Sequence, residues 1–166
     1  IWDSSAIIEY VHEQYPDSIG WPASVKQRAR ARSLCAEMHS GFLALRDELP
    51  QNLKVQLALD PGSLSEACRA QIRRIDQIWS ECREENRATG NWLFGKFTIA
   101  DVMFAPVALR FVSYGINVSP PAREYIDVVT ELKSVRQWVD AAKNEKESIA
   151  FIDQRVPAEQ TDLALG

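Results

Sequence analysis

Cysteine is scarce in this chain: three in 166 residues, Cys35, Cys68 and Cys82, with no CxxC pair among them. An odd, dispersed set of three excludes a disulfide-stapled scaffold and a cysteine-based zinc cluster. The two histidines, His12 and His39, stand at no metal-ligand spacing to cysteine or carboxylate, so no metal is expected. The seven glycines are scattered, and no glycine-rich phosphate loop occurs. Neither sign of charge dominates. Nineteen basic and 23 acidic residues leave a net charge of -4, which gives no bulk reason to bind nucleic acid or an anionic membrane. The basic run Lys26, Arg28, Arg30, Arg32 spreads around a helix and reads as a solvated face, as do Glu81, Glu84 and Glu85. Long apolar runs are missing as well. The most apolar stretch, 99–112, is too short to span a bilayer and is interrupted by Asp101 and Arg110. No signal-peptide pattern opens the chain, so a reducing cytoplasm is the expected location. The first residue is not Met, and Ile1-Trp2 reads as the end of a strand, so a preceding segment is expected.

What remains is a chain with 46% hydrophobic and 25% charged residues, sufficient for one substantial core. Its apolar residues recur at helical spacing. Asp3 and Ser4 are helix-start residues, followed by Ala6, Ile7, Tyr10 and Val11 and stopped by Pro16. The turn-rich 16–22 is a linker. Leu34, Met38, Phe42, Leu45 and Leu49 form one stripe, which predicts a single long helix over 24–48, ended by Pro50. A loose connection over 51–62 leads to a second long helix over 63–87, with Cys68, Ile72, Ile75, Trp79 and Cys82 as its inward seam. The segment 98–113 is apolar almost all round, so it belongs in the middle of a bundle, kinked at Pro106. Shorter helices start at Ser119 and Ser134, and Ile149, Phe151 and Ile152 make a last apolar patch. No strand pattern appears. The expected fold class is all-α, a bundle of about six helices, two of them long.

One motif carries a mechanism of its own. Thr98-Ile99-Ala100-Asp101 fits a capping box with Asp in place of the usual Glu, and Phe97 and Val102 occupy the staple positions. A buried helix has no water for its first N–H groups, so this cap is structural, and its loss should cost about 1 kcal/mol or more.

Phe94-Gly-Lys-Phe-Thr98-Ile-Ala-Asp101, followed by an apolar helix with Pro106, resembles the capping-box and staple signature of the C-terminal domain of cytosolic glutathione transferases, and the sequence looks closest to bacterial members. Residues 2–11, ending at Tyr15-Pro16, are similar to the segment that closes that family's thioredoxin-like domain, and the helix at Ser134 to Trp138 resembles a late element. The resemblance divides the chain into the remnant of a glutathione-binding domain (1–16), a linker (17–22), an all-helical domain (23–152) and a polar tail (153–166).

It also implies a chemistry. The family holds the γ-glutamyl end of glutathione at the start of this first helix, at positions occupied here by Asp3 and Ser4. A helix N-terminus can receive a carboxylate, and Asp3 could pair with the ammonium. The electrophile pocket would fall to Met38, His39 and Phe42, with Tyr114 as a further candidate, although Met38 and Phe42 also belong to the core stripe. The family's activating Ser, Tyr or Cys corresponds to no residue of 1–166. The resemblance therefore implies a transferase whose complete form attacks a small hydrophobic electrophile with the glutathione thiolate. It also implies a homodimer, and no turnover by these residues alone. A non-catalytic protein-interaction module of the same fold is the competing function, because function lives in the site rather than the fold.

Overall fold

In the computed structural model of the protein, which describes residues 1–153, each periodic segment forms helix. The helices are α1 (Ser4–Gln14), α2 (Val25–Ser40), α3 (Leu43–Glu48), α4 (Glu66–Asn86), α5 (Ile99–Ser113), α6 (Pro120–Glu131), α7 (Lys133–Asn144) and α8 (Ala150–Asp153), with a 3₁₀ turn at Pro61–Ser63. Among the described residues there is no named strand, only two isolated bridges in the tight loop Trp92↔Gly95 and Phe94↔Lys96. The polar tail expected over 153–166 lies, from residue 154 onward, outside the described residues. Among the described residues no helix is long and apolar enough to cross a membrane.

The core is built on α5 and α4. Ten of the residues of α5 are buried, from Ile99 to Ser113, as a helix without a polar face requires. Across from it, α4 buries Cys68, Ile75, Trp79 and Cys82 of the expected seam together with Ile78, while Ile72 is half-buried. The Trp79 ring is fully buried and packs against Phe104, Phe111 and Tyr125, with centroids 6.1, 5.2 and 5.2 Å away. An aromatic cluster of this kind buries large rings at favourable tilted angles, and removing such a side chain typically costs roughly 3–5 kcal/mol.

The single helix expected over 24–48 is two helices. Gly41 is extended, and Phe42 adopts the left-handed region at φ 58°, so α2 stops at Ser40 and α3 restarts at Leu43. A Cβ at Gly41 would sit 2.6 Å from the Glu37 carbonyl oxygen, so this turn demands glycine. The broken ends are satisfied from elsewhere. The Arg46 guanidinium donates to the Met38 and Gly41 carbonyls at 2.6 and 3.2 Å, and the Gln71 side-chain oxygen accepts from the Leu45 N–H at 2.8 Å. Helix α4 starts after Ser65 rather than at Ser63. Ser65 caps the Cys68 N–H at 3.1 Å and is itself held by Glu48.

The connection over 51–62 is ordered rather than loose. Leu57 N–H donates to the Ser113 carbonyl at 2.7 Å and Leu59 N–H to the Tyr114 carbonyl at 3.3 Å. The basic face of α2 is likewise partnered. Arg30 pairs with Glu81 and Glu85 across to α4, Arg28 donates to the Pro22 and Ala23 carbonyls, and Arg32 lies over the Trp21 ring. Glu37 and Arg74 add a two-pronged pair at 2.8 and 2.9 Å.

Gly115, at φ 62°, closes α5 against the 51–62 segment, and a Cβ there would stand 2.7 Å from the Leu57 carbonyl oxygen. Gly115→Ala is therefore expected to lower unfolding free energy by roughly 2 kcal/mol in a urea titration, from left-handed strain plus a backbone clash. An unchanged midpoint would show that the segment moves aside freely.

Candidate functional site

The chain is punctuated so that six helices and one loop meet around an open cleft of about 560 Å³. Ser4 and Ile8 of α1 form one rim, and Met38 and His39 come from the last turn of α2. Trp92 and Phe97 enter from the loop before α5, their rings 4.8 Å apart and edge to face. Phe97 is thus committed to Trp92 and to the cleft. Helix α5 supplies half-buried Val102, Pro106 and Arg110 and buried Met103 to the lining. Val135 and Trp138 of α7 close the far side, and Arg46 of α3 stands below the end of α2. The lining is mostly apolar and aromatic with few polar groups, the usual character of a small-molecule site.

The position of α1 against this cleft depends on residues 3 and 39. One Asp3 oxygen accepts from the Ser5 N–H and hydroxyl at 3.0 and 2.8 Å, capping the helix. The other lies 3.0 Å from His39 Nε2. The Ser5 hydroxyl and N–H, and more weakly His39, hold the Asp3 carboxyl below its ordinary range. The linker is fixed too. His12 Nδ1 bonds the Ile19 carbonyl at 2.8 Å, Trp21 donates to Glu9 at 2.9 Å, and the Gly20 carbonyl accepts from the Ile99 N–H at 3.0 Å. That last bond satisfies one of the unpaired donors at the start of the buried α5.

At the same helix start the capping box closes. Asp101 accepts from the Thr98 N–H at 2.8 Å, the Thr98 hydroxyl at 3.0 Å and the Leu93 N–H at 3.1 Å. The Tyr125 hydroxyl is buried beside it without reaching hydrogen-bond geometry. Burial pushes the Asp101 carboxyl up to about 6 despite these donors, which pull the other way.

The structure places the six expected site residues in three groups. Ser4, Met38 and His39 line the cleft, and Asp3 stands beside it on His39. Phe42 and Tyr114 do not line it. On an unbroken helix Phe42 would share Met38's face, but the left-handed turn swings it into the core, where it is buried. Tyr114 is buried one turn beyond Arg110, its hydroxyl donating to the Pro50 carbonyl at 2.9 Å. Sequence reasoning missed Arg46, Arg110, Trp92, Phe97 and Trp138. The signal for Arg110 was visible as a lone cation inside an otherwise apolar helix.

The three cysteines do not line the cleft. All are buried, and burial pushes the thiols up to about 12 at Cys35 and about 11 at Cys68 and Cys82. Among the described residues no group of three or more His, Cys, Asp or Glu could hold a metal ion.

A family profile described as "Glutathione S-transferase, C-terminal domain" matches residues 27–141, which spans α2 to α7 and all but the α1 rim of the cleft. Among solved structures, the chain is similar to a glutathione transferase homologue from Burkholderia gl BGR1 that holds bound glutathione. The two share 29% identity with a TM-score of 0.59, over 87% of this chain and 68% of that one. No curated protein sequence matches significantly.

The raised Asp101 carboxyl gives a pH signature. The unfolded carboxyl ionises near its ordinary 3.8 and the folded one near 6, so the stability this group contributes is fully present below about pH 4 and is lost as pH rises through 6. Asp101→Asn, which mimics the neutral acid, should gain on the parent protein by up to about 3 kcal/mol between pH 4 and pH 7 in paired denaturant titrations. A gap that does not change with pH would contradict the assignment.

Proposed function

We propose, for a chain that belongs to the glutathione S-transferase family through its C-terminal domain, that the complete protein is a glutathione transferase and that this cleft receives its electrophile. The observation that carries the reading is the meeting of Ser4, at the start of α1, with an apolar cleft built from the family-matched helices. Glutathione would set its γ-glutamyl carboxylate on the free N–H groups and hydroxyl at Ser4, with Asp3 turned to the ammonium. The bound glutathione of the Burkholderia homologue supports that partner for this chain. The thiolate would then point over the cleft, where Met38, Trp92 and Trp138 offer adaptable and aromatic surface to a hydrophobic electrophile.

Residues 1–16 would belong to the glutathione-binding domain and the following helices to the electrophile-binding one. The exposed apolar side chains of α1, Ile7, Tyr10 and Val11, support the first half of that division, since α1 buries none of its residues against the bundle. The thiolate-activating group would not be one of the three thiols, which are buried and pushed up by burial. The proposed assembly is a two-fold homodimer in the cytoplasm, which size-exclusion chromatography with light scattering of the complete protein would examine.

The complete protein should be retained on immobilised glutathione and conjugate a generic aryl halide. Ser4→Ala should weaken glutathione binding by about tenfold, the worth of a hydrogen bond to a charged group. The 166-residue chain by itself should show no conjugation above the uncatalysed rate. Absence of glutathione retention by the complete protein would favour a non-catalytic interaction module, and turnover by the 166-residue chain would place the activating group within it.

A further inference from the structure

Two arginines of the cleft are not explained by holding the fold together. Arg46 spends its Nε and one Nη on the Gly41 and Met38 carbonyls. Arg110 spends only its Nε, on the Leu49 carbonyl at 3.0 Å. The same Arg46 Nη also lies 3.4 Å from the Met38 sulfur, so its other Nη and both Arg110 Nη groups stand outside these backbone contacts. Both guanidinium groups donate to backbone carbonyls, whereas Arg30, Arg69, Arg73, Arg74 and Arg83 are paired with acidic side chains. Both cations line the same apolar cleft.

Arg46 also acts on Arg110. Burial, and then the neighbouring Arg46 charge, bring the Arg110 guanidinium down to about 10. Holding two like charges together at the edge of an apolar surface is unfavourable until an anion arrives. The one carboxylate lining the cleft, Asp101, cannot serve. Its oxygens are taken by Thr98 and Leu93, and it stands nine residues before Arg110 on α5, roughly 13 Å along the axis. His39 is turned to Asp3. Planar guanidinium groups with free N–H pairs match a carboxylate, and Trp138, Leu132 and Pro106 offer apolar surface in the same cleft.

We infer that Arg46 and Arg110 form an anion subsite of the cleft, so that its ligand is an apolar, ring-bearing molecule carrying a carboxylate. This rests on the transferase reading only in calling that ligand the electrophile. The subsite would border the glutathione end of the cleft. His39 in the last turn of α2 meets Asp3 on α1, while the adjacent Met38 holds Arg46.

The test compares 4-phenylbutyrate with its neutral isostere 4-phenylbutanamide on the 166-residue chain, read by quenching of Trp92 and Trp138, and repeats the titration on the complete protein with glutathione. The carboxylate should bind about tenfold more tightly than the amide, a preference that shrinks with added salt. Arg46→Gln and Arg110→Gln should each abolish most of it, with helicity checked by circular dichroism. Equal affinity of the two probes for the parent chain would overturn the inference whatever the variants do, as would a full preference persisting in both folded variants. Displacement of the carboxylate probe by excess glutathione would assign the arginines to glutathione's own carboxylates and overturn it as well. Glutathione binding without carboxylate preference defeats this inference alone, and carboxylate preference without glutathione binding defeats the transferase reading alone.

Discussion

The start of α5 is the constraint on which the rest of this structure depends. A helix apolar on every side can only be buried, and a buried helix must find partners for its first N–H groups inside the protein. Here the partners come from three places: Asp101 within the helix, the Gly20 carbonyl from the linker, and the Thr98 turn. Each ties another piece of chain to the core. Asp101 also accepts from Leu93 and so fixes the tight loop that presents Trp92 and Phe97. Gly20 fixes the linker, and through His12 and Trp21 it fixes α1. A structural cap thereby sets three sides of the cleft, although it performs no chemistry there.

The break at Gly41–Phe42 sets the fourth side. It ends α2 with exposed carbonyls, and Arg46 turns back to satisfy them. A cation at a helix C-terminus is favourable in its own right. The break leaves one guanidinium in a cleft that already contains another. Arg46 spends its Nε and one Nη on that turn and Arg110 its Nε on Leu49, and both residues line the cleft.

Much of this was legible in the residues, and what was not has definable causes. The apolar run of α5, the seam from Cys68 to Cys82 and the Thr98–Asp101 box could be read because each is a local pattern with one physical solution. The helix stripe through Met38 and Phe42 misled, because a periodic pattern continues smoothly across a residue whose backbone turns left-handed. Only Gly41 hinted at the break, and a lone glycine in a helical pattern is a weak signal. The same turn removed Phe42 from the cleft, and the pull of the 50–59 segment removed Tyr114. Arg46, Trp92 and Trp138 could not be foreseen, since they come together only when six helices and a loop converge. The basic face of α2 read as solvated because its partners, Glu81 and Glu85, lie on another helix.

The central claim is that glutathione and an apolar partner meet across the cleft between the start of α1 and the end of α2. The most direct measurement is a crystal structure of the complete protein with S-benzylglutathione. The account predicts the γ-glutamyl group on the N–H groups at Ser4 and the benzyl ring between Met38, Trp92 and Trp138. A benzyl ring outside this cleft, or a glutamyl group away from the α1 N-terminus, would contradict it.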